Sequence, residues 1–225
     1  MRWSRRIESA SLFAAYALAA CGTTARQSEP APITAGAAGE AVVTPAEQAR
    51  ADSGRPPYTP ADVRFMQNMI LHHGQATVMS AWAPTHGASD ELRVLAARID
   101  VAQRDEITTM QRWLRERGQT VPDPQAHHSH TDSALMPGML TPAQMTQLDR
   151  AQGRDFDRLF LTLMIRHHEG AVKMVEQLFA TPGAGQDTDI YRIASDVHVD
   201  QVTEIDRMRS MLSAMPADTS QPTRP

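Results

Sequence analysis

Four histidines stand as two adjacent pairs, His72-His73 and His167-His168, about ninety-five residues apart in a chain of 225 residues. Each pair sits in the same string. Met69-Ile70-x-His72-His73-x-x-Ala76-x-x-Met79 returns as Met164-Ile165-x-His167-His168-x-x-Ala171-x-x-Met174, and each copy follows an Asp-x-x-Phe lead-in, Asp62/Phe65 and Asp157/Phe160. Imidazoles bind Cu(I), Cu(II) or Zn(II), and thioethers favour Cu(I). Two copies on separate helices could therefore present mixed nitrogen and sulfur ligands to a soft ion. Against this stand two plainer readings. A methionine stripe at helical spacing is commonly core packing, and an inward histidine can be satisfied by a hydrogen bond across helices.

Helices must position these residues. Thr59-Pro60-Ala61-Asp62 supplies an N-cap, a proline for the first turn and an acid for the helix dipole. From there Phe65, Met69, His72, Ala76 and Met79 mark one face at spacings of four and three, until Pro84 and Gly87 end the helix. The second helix opens at Ser89-Asp90-Glu91 and runs to Arg117, where Gly118 stops it; its stripe is Leu92, Leu95, Ile99, Gln103, Glu106, Met110 and Trp113. Val121 to Gly138 reads as loop. Thr141-Pro142-Ala143-Gln144 caps a short segment interrupted near Gly153. The third long helix places Phe160, Met164, His167, Ala171, Met174 and Leu178 on one face and is broken by Thr181 to Gly185. The fourth runs from about Thr188 to Met215 with Ile190, Ala194, Val197, Gln201, Glu204, Met208 and Met211 inward.

The duplication reaches these second helices: Gln103-x-x-Glu106-Ile107-x-x-Met110 matches Gln201-x-x-Glu204-Ile205-x-x-Met208. Each half is thus a helical hairpin, residues 59–118 and 141–215 joined by a loop over 119–140, and two hairpins form an all-α, antiparallel four-helix bundle. At 1.5 Å per residue, counting back from the turns brings Gln103 and Glu106 to within roughly 5 Å of the height of His72, and Gln201 and Glu204 likewise to His167. The expected centre is one layer of His72, His167, Glu106 and Glu204, with His73 and His168 turned to the flanks and Met69 and Met164 one turn below. Glu106 and Glu204 would orient imidazoles rather than ligate.

The doubled motif, the Gln-x-x-Glu-Ile-x-x-Met helices and Met136-Pro137-Gly138-Met139 resemble the secreted family catalogued as domain of unknown function 305, over roughly Thr59 to Leu212. The resemblance implies a ferritin-like four-helix bundle, and members of that family are implicated in periplasmic copper binding and tolerance.

The chain outside the bundle has its own signals. Arg2, Arg5 and Arg6 precede a short apolar run, and Leu18-Ala19-Ala20-Cys21 resembles a bacterial lipobox. Residues 1–20 are expected to be a lipoprotein-type signal peptide, residues 21–58 a flexible tether from lipidated Cys21, and residues 216–225 a disordered tail. Cys21 is the single cysteine, so no internal disulfide can form. Removing residues 1–20 moves the net charge from -4 to -6, which disfavours nucleic acid as a partner. His127-His128-x-His130, followed by Met136 and Met139, is a further candidate cluster for Cu(II) or Ni(II); His198 could join a site near His167 or His168, and His86 looks incidental.

Enzyme signatures are missing. Di-iron bundles use Glu-x-x-His, which the chain lacks, and His168-Glu169 fails the zincin spacing because Val172 stands where the second histidine belongs. The leading expectation is a lipid-anchored protein of the bacterial cell envelope, facing the periplasm or exterior, that sequesters or buffers copper, with zinc as the alternative ion. Its metal residues would be His72, His73, His167, His168, Met69, Met164, Glu106 and Glu204. The alternatives are a structural or protein-interaction bundle whose buried His/Glu layer holds no metal, and a metal-dependent oxidase. Oligomeric state is not encoded in any of these features.

Overall fold

The computed structural model describes residues 57–126 and 136–216. The expected signal peptide, Cys21, most of the expected tether, the His127-His128-x-His130 cluster and residues 217–225 lie outside the described residues. Five helices follow one another: α1 (Pro60–Trp82), α2 (Asp90–Glu116), α3 (Pro142–Arg150), α4 (Gly153–Ala180) and α5 (Thr188–Ala214). The all-α fold built from two hairpins, α1/α2 and α4/α5, is what the sequence pattern implied.

The ends obey local chemistry. Thr59 and Asp62 form a capping box at α1, with Pro60 in the first turn; Thr141 and Gln144 form another at α3. Ser89 caps α2 by accepting from the Leu92 amide. Gly118 takes a positive φ of 62° just past α2, and the Gln119 amide folds back onto the Leu114 carbonyl at 2.9 Å. α5 begins at Thr188, and Asp187 is its N-cap. Asp187 accepts from the Asp189 and Ile190 amides and also faces Arg117 across the bundle.

Within each hairpin the helices pack along their length, and the hairpins meet chiefly through α1 and α4, more lightly through α2 and α5. Their relative direction follows from which ends touch. The Gly153 amide at the start of α4 donates to the His86 carbonyl past the end of α1, at 2.8 Å. At the opposite end, the Gly185 amide beyond α4 donates to Asp62 Oδ1 near the start of α1, at 2.7 Å. α1 and α4 therefore run antiparallel, and the two hairpins are related by an approximate two-fold.

That relation explains the Asp-x-x-Phe lead-ins. Asp62 of the first hairpin holds the turn of the second through Gly185, while Asp157 of the second holds the turn of the first by accepting from the Ser89 amide at 3.2 Å. Both aspartates are buried. His86 is no incidental residue either. Its Nε2 faces the Asp149 carbonyl at 2.7 Å, its Nδ1 faces the Trp82 carbonyl at 3.0 Å, and its ring packs on Phe156. It fastens the α1–α2 turn to α3.

The apolar interior falls into two clusters. One gathers Met79, Leu92, Leu95, Ile99, Phe156, Phe160, Met164 and Met208. The other gathers Phe65, Met69, Ile107, Met110, Trp113, Met174, Ile190 and Val197. On every long helix the switch from one cluster to the other occurs at the polar residues of the repeated motif. A polar layer thus divides the core in two.

Candidate metal centre

The dividing layer consists of His72, His73, Gln75, Gln103, His167, His168 and Gln201, all at most 3 % exposed, with Glu106 and Glu204 reaching the surface. All four histidines of the doubled motif are fully buried. His72 and His167 meet across the α1/α4 contact with ring centroids 3.8 Å apart, tilted by 38°. This is the inward pair expected from the helix faces.

The expected partners are corrected. Glu106 and Glu204 do not join His72 and His167; they face the histidines assigned to the flanks. Glu204 Oε2 accepts from His168 Nε2 at 2.7 Å, and Glu106 Oε2 lies 2.8 Å from His73 Nε2. The first is a well-formed hydrogen bond. The second is close enough for one but poorly aligned. His73 and His168 are no more exposed than their neighbours because the residue turned about 100° from the α1/α4 contact meets the other helix of its own hairpin. A helix touching two neighbours has two inward faces.

Methionine placement is corrected too. Met69 belongs to one apolar cluster and Met164 to the other. Since α1 and α4 are antiparallel, one turn before the histidines leads in opposite directions on the two helices. The two thioethers flank the layer on either side rather than lying together beneath it. His198 is half-buried one turn before Gln201. Among the described residues, no three His, Cys, Asp or Glu side chains are grouped so that they could hold a metal ion.

The linker between the hairpins closes one side of the layer. Pro137 carbonyl oxygen accepts from His72 Nε2 at 2.9 Å. Gln75 donates to the Leu140 carbonyl and accepts from its amide, at 3.1 and 2.7 Å. Two glycines of the motif permit this approach: a Cβ on Gly74 would stand 2.0 Å from the Pro124 carbonyl oxygen, and one on Gly170 would stand 2.0 Å from that of Pro137. Sequence reasoning passed over Gly74, Gly170 and Gln75. A glycine inside each strongly helical motif was the available signal.

The nitrogen inventory is informative. His72, His73 and His168 all have Nε2 facing an oxygen: a carbonyl for His72 and a carboxylate for the other two. A carbonyl only accepts, so His72 carries its proton on Nε2; the His168 bond fixes the same tautomer. Among the described residues, Nδ1 of His73 and Nδ1 of His168 have no hydrogen-bond partner, and neither ring nitrogen of His167 makes a hydrogen bond of ordinary geometry, a weak approach to the His72 backbone aside. Burial, followed by the neighbouring histidines 72, 168 and 73, holds the His167 imidazole well below its ordinary pKa of 6.5, so it is neutral at pH 7. Each buried polar atom without a partner costs about 1–3 kcal/mol. Several such atoms share this one layer.

A family model described as Domain of unknown function (DUF305) matches residues 62–212. The chain belongs to the DUF305 family. Solved structures agree. A DUF305 fragment from Deinococcus radiodurans is 33% identical, with a TM-score of 0.59, covering 71% of this chain and 100% of that one. A DUF305 protein from Streptomyces coelicolor is 28% identical, with a TM-score of 0.59, covering 68% and 92%. CopM in its Cu(II)-bound form is 26% identical, with a TM-score of 0.55, covering 68% and 95%, and CopM is also solved in Cu(I)-bound and Ag-bound forms. No curated protein matches the sequence. In this DUF305 chain the family match spans both hairpins, the polar layer and the linker that lies against it.

Proposed function

We propose that this protein binds copper in the cell envelope and serves to sequester or buffer it, with each consecutive histidine pair holding one monovalent ion. The observation that carries this reading is the division of labour on the imidazoles. In a metal-bound histidine the second nitrogen is usually held by a carboxylate or carbonyl, which fixes the tautomer and raises ligand basicity. Here Glu106, Glu204 and the Pro137 carbonyl occupy Nε2, while His73 and His168 keep Nδ1 without a hydrogen-bond partner.

Separations support the same pairs. Metal–nitrogen bonds of about 2 Å, added to roughly 1.1 Å from ring nitrogen to ring centre, put two imidazoles on opposite sides of one ion at about 6 Å between centres. The consecutive pairs stand at 6.4 Å (His72–His73) and 6.2 Å (His167–His168), whereas His72–His167 at 3.8 Å is a stacking distance. With no ready group of three acidic, histidine or cysteine side chains among the described residues, an ion content with few neutral donors fits best. Cu(I) and Ag(I) are such ions; Zn(II) asks for four ligands. The thioethers of Met69 and Met164, one on each side of the layer, suit the same soft ions.

Family relationship adds to this, since CopM is solved with Cu(I), Cu(II) and silver. An envelope location rests on the lipobox-like Leu18-Ala19-Ala20-Cys21 and on the Streptomyces relative, which is described as secreted. On this reading Cys21 carries a lipid anchor, the chain is a binding protein rather than an enzyme, and the membrane is reached through that anchor. No helix among the described residues is long and apolar enough to cross a membrane.

Cu(I) titration of the bundle against a chromophoric chelator tests the proposal. The expected stoichiometry is two per chain, falling to one in His73→Ala and one in His168→Ala. Unchanged stoichiometry and affinity in the His73→Ala/His168→Ala double variant would sink it, and would favour the second reading, a layer that only fixes helix register. That second reading draws its support from the His168–Glu204 bond, which occupies His168 Nε2 and Glu204 Oε2 without any ion.

A further inference from the structure

The buried layer has two unlike sides. On the α1/α4 side the linker lies against backbone: Pro124 on Gly74, Pro137 and Gly138 on Gly170, and Pro137 on His72. On the α2/α5 side the helices touch lightly, and the layer ends in two carboxylates whose side chains keep 16 % and 19 % exposure, Glu106 and Glu204. Each of these spans from solvent to a buried imidazole. Asp200 stands one turn before Glu204 on the same face of α5 and is exposed. One turn before Glu106 on the same face of α2 is Gln103, 1 % exposed, with neither amide atom hydrogen-bonded among the described residues. Glu106 Oε1 is likewise buried without a hydrogen-bond partner.

We propose that Asp200, Glu106 and Glu204 form the cation entrance of the buried layer, with Asp200 as the outer residue that draws a hydrated metal cation to the α2/α5 face and Gln103 offering amide oxygen behind it. This rests on the copper reading above and names the route to that site. The three carboxylates do not form a metal cage; they act on the incoming ion through their summed charge. Asp200 and Glu204 stand one turn apart on α5, and Glu106 meets His73 as Glu204 meets His168, so the carboxylates gather about one buried layer. Since Glu106 belongs to α2 and the other two to α5, the negative potential is assembled across helices. Neighbouring carboxylates concentrate the opposite ion and raise its association rate, and salt removes the effect.

The experiment is rapid mixing of the protein with silver nitrate in chloride-free buffer, quenched with thiosulfate and read as silver retained on the protein. Asp200→Asn is expected to lower the association rate about two- to threefold at 10 mM ionic strength, the difference shrinking to nearly nothing at 0.5 M. Glu91→Gln, an exposed charge removed from the first turn of α2, is expected to leave the rate as it is. Equal rates for wild type and Asp200→Asn at low ionic strength, or a deficit that salt does not change, would overturn the entrance. Wild-type protein that retains no silver would overturn the copper reading with it. Retention lost in His73→Ala/His168→Ala, with Asp200→Asn unaffected, would overturn the entrance alone.

Discussion

Replacing Gly170 by alanine sets helix propensity against tertiary packing. In a helix interior alanine is favoured over glycine by about 1 kcal/mol, so the residue alone predicts stabilisation. The structure reverses the sign. A Cβ at this position would stand 2.0 Å from the Pro137 carbonyl oxygen, 2.4 Å from its carbon and 2.5 Å from Gly138 Cα, all backbone atoms that cannot rotate aside. Reaching ordinary contact at 3.4 Å requires the linker to retreat by about 1.4 Å, and overpacking of this kind typically costs about 1–3 kcal/mol. The retreat also removes the Pro137 acceptor from His72 Nε2, worth about 1 kcal/mol. After the propensity gain, the net loss is about 2 kcal/mol, a fall of about 4–8 °C in Tm for a domain of this size. Thermal unfolding of the metal-free protein by circular dichroism measures it. Copper affinity should fall as well, because His72 loses the oxygen that fixes its tautomer. A Gly170→Ala protein with an unchanged or higher Tm would refute the argument that the linker is seated on the α4 backbone.

Three further outcomes follow from the same geometry. Glu204→Gln should keep the His168 contact but remove its charge, and weaken Cu(I) binding about 10–100-fold in a competition titration with little change in stability; an affinity equal to wild type would show that Glu204 does not support a ligand. Asp62→Ala strips partners from the Gly185 amide and the Thr59 amide and hydroxyl together, so urea unfolding should report a loss of about 2–3 kcal/mol, and a loss under 0.5 kcal/mol would contradict the latch between hairpins. The folded protein holds His167 neutral, below the 6.5 of the unfolded chain, so the unfolded state binds more protons under acid. Stability from this residue is present in full above pH 6.5 and is lost progressively as pH falls below it. Urea unfolding of metal-free wild type and His167→Gln from pH 7.5 to 5 should show the flatter profile in the variant; parallel profiles would remove His167 from the account.

Much of the architecture was legible in the chain because local rules act there without competition. Thr59, Thr141 and Gly118 declare helix ends by their own hydrogen bonds and backbone freedom. The spacing of Phe65, Met69, His72, Ala76 and Met79 marks a buried face, and the repeat of the motif pairs the hairpins. The inward placement of His72 and His167 followed from that periodicity alone. What periodicity does not encode is how many neighbours a helix has. His73 and His168 sit on a second inward face, which exists only because α2 and α5 cover it, and so their pairing with Glu106 and Glu204 emerged from the bundle.

Residue types, their helical faces and the doubling of the motif are properties of the sequence, fixed by backbone geometry over a few residues at a time. The antiparallel meeting of α1 and α4, the opposite placement of Met69 and Met164, the reciprocal hold of Asp62 and Asp157, and the seating of the linker on Gly74 and Gly170 depend on contacts between segments far apart in the chain. Those contacts decide which imidazole nitrogens are occupied and from which side the layer meets solvent. Ligand-like residues in two consecutive pairs were visible in the sequence; which oxygen stands against Nε2 of His72, His73 and His168 came only with the tertiary fold.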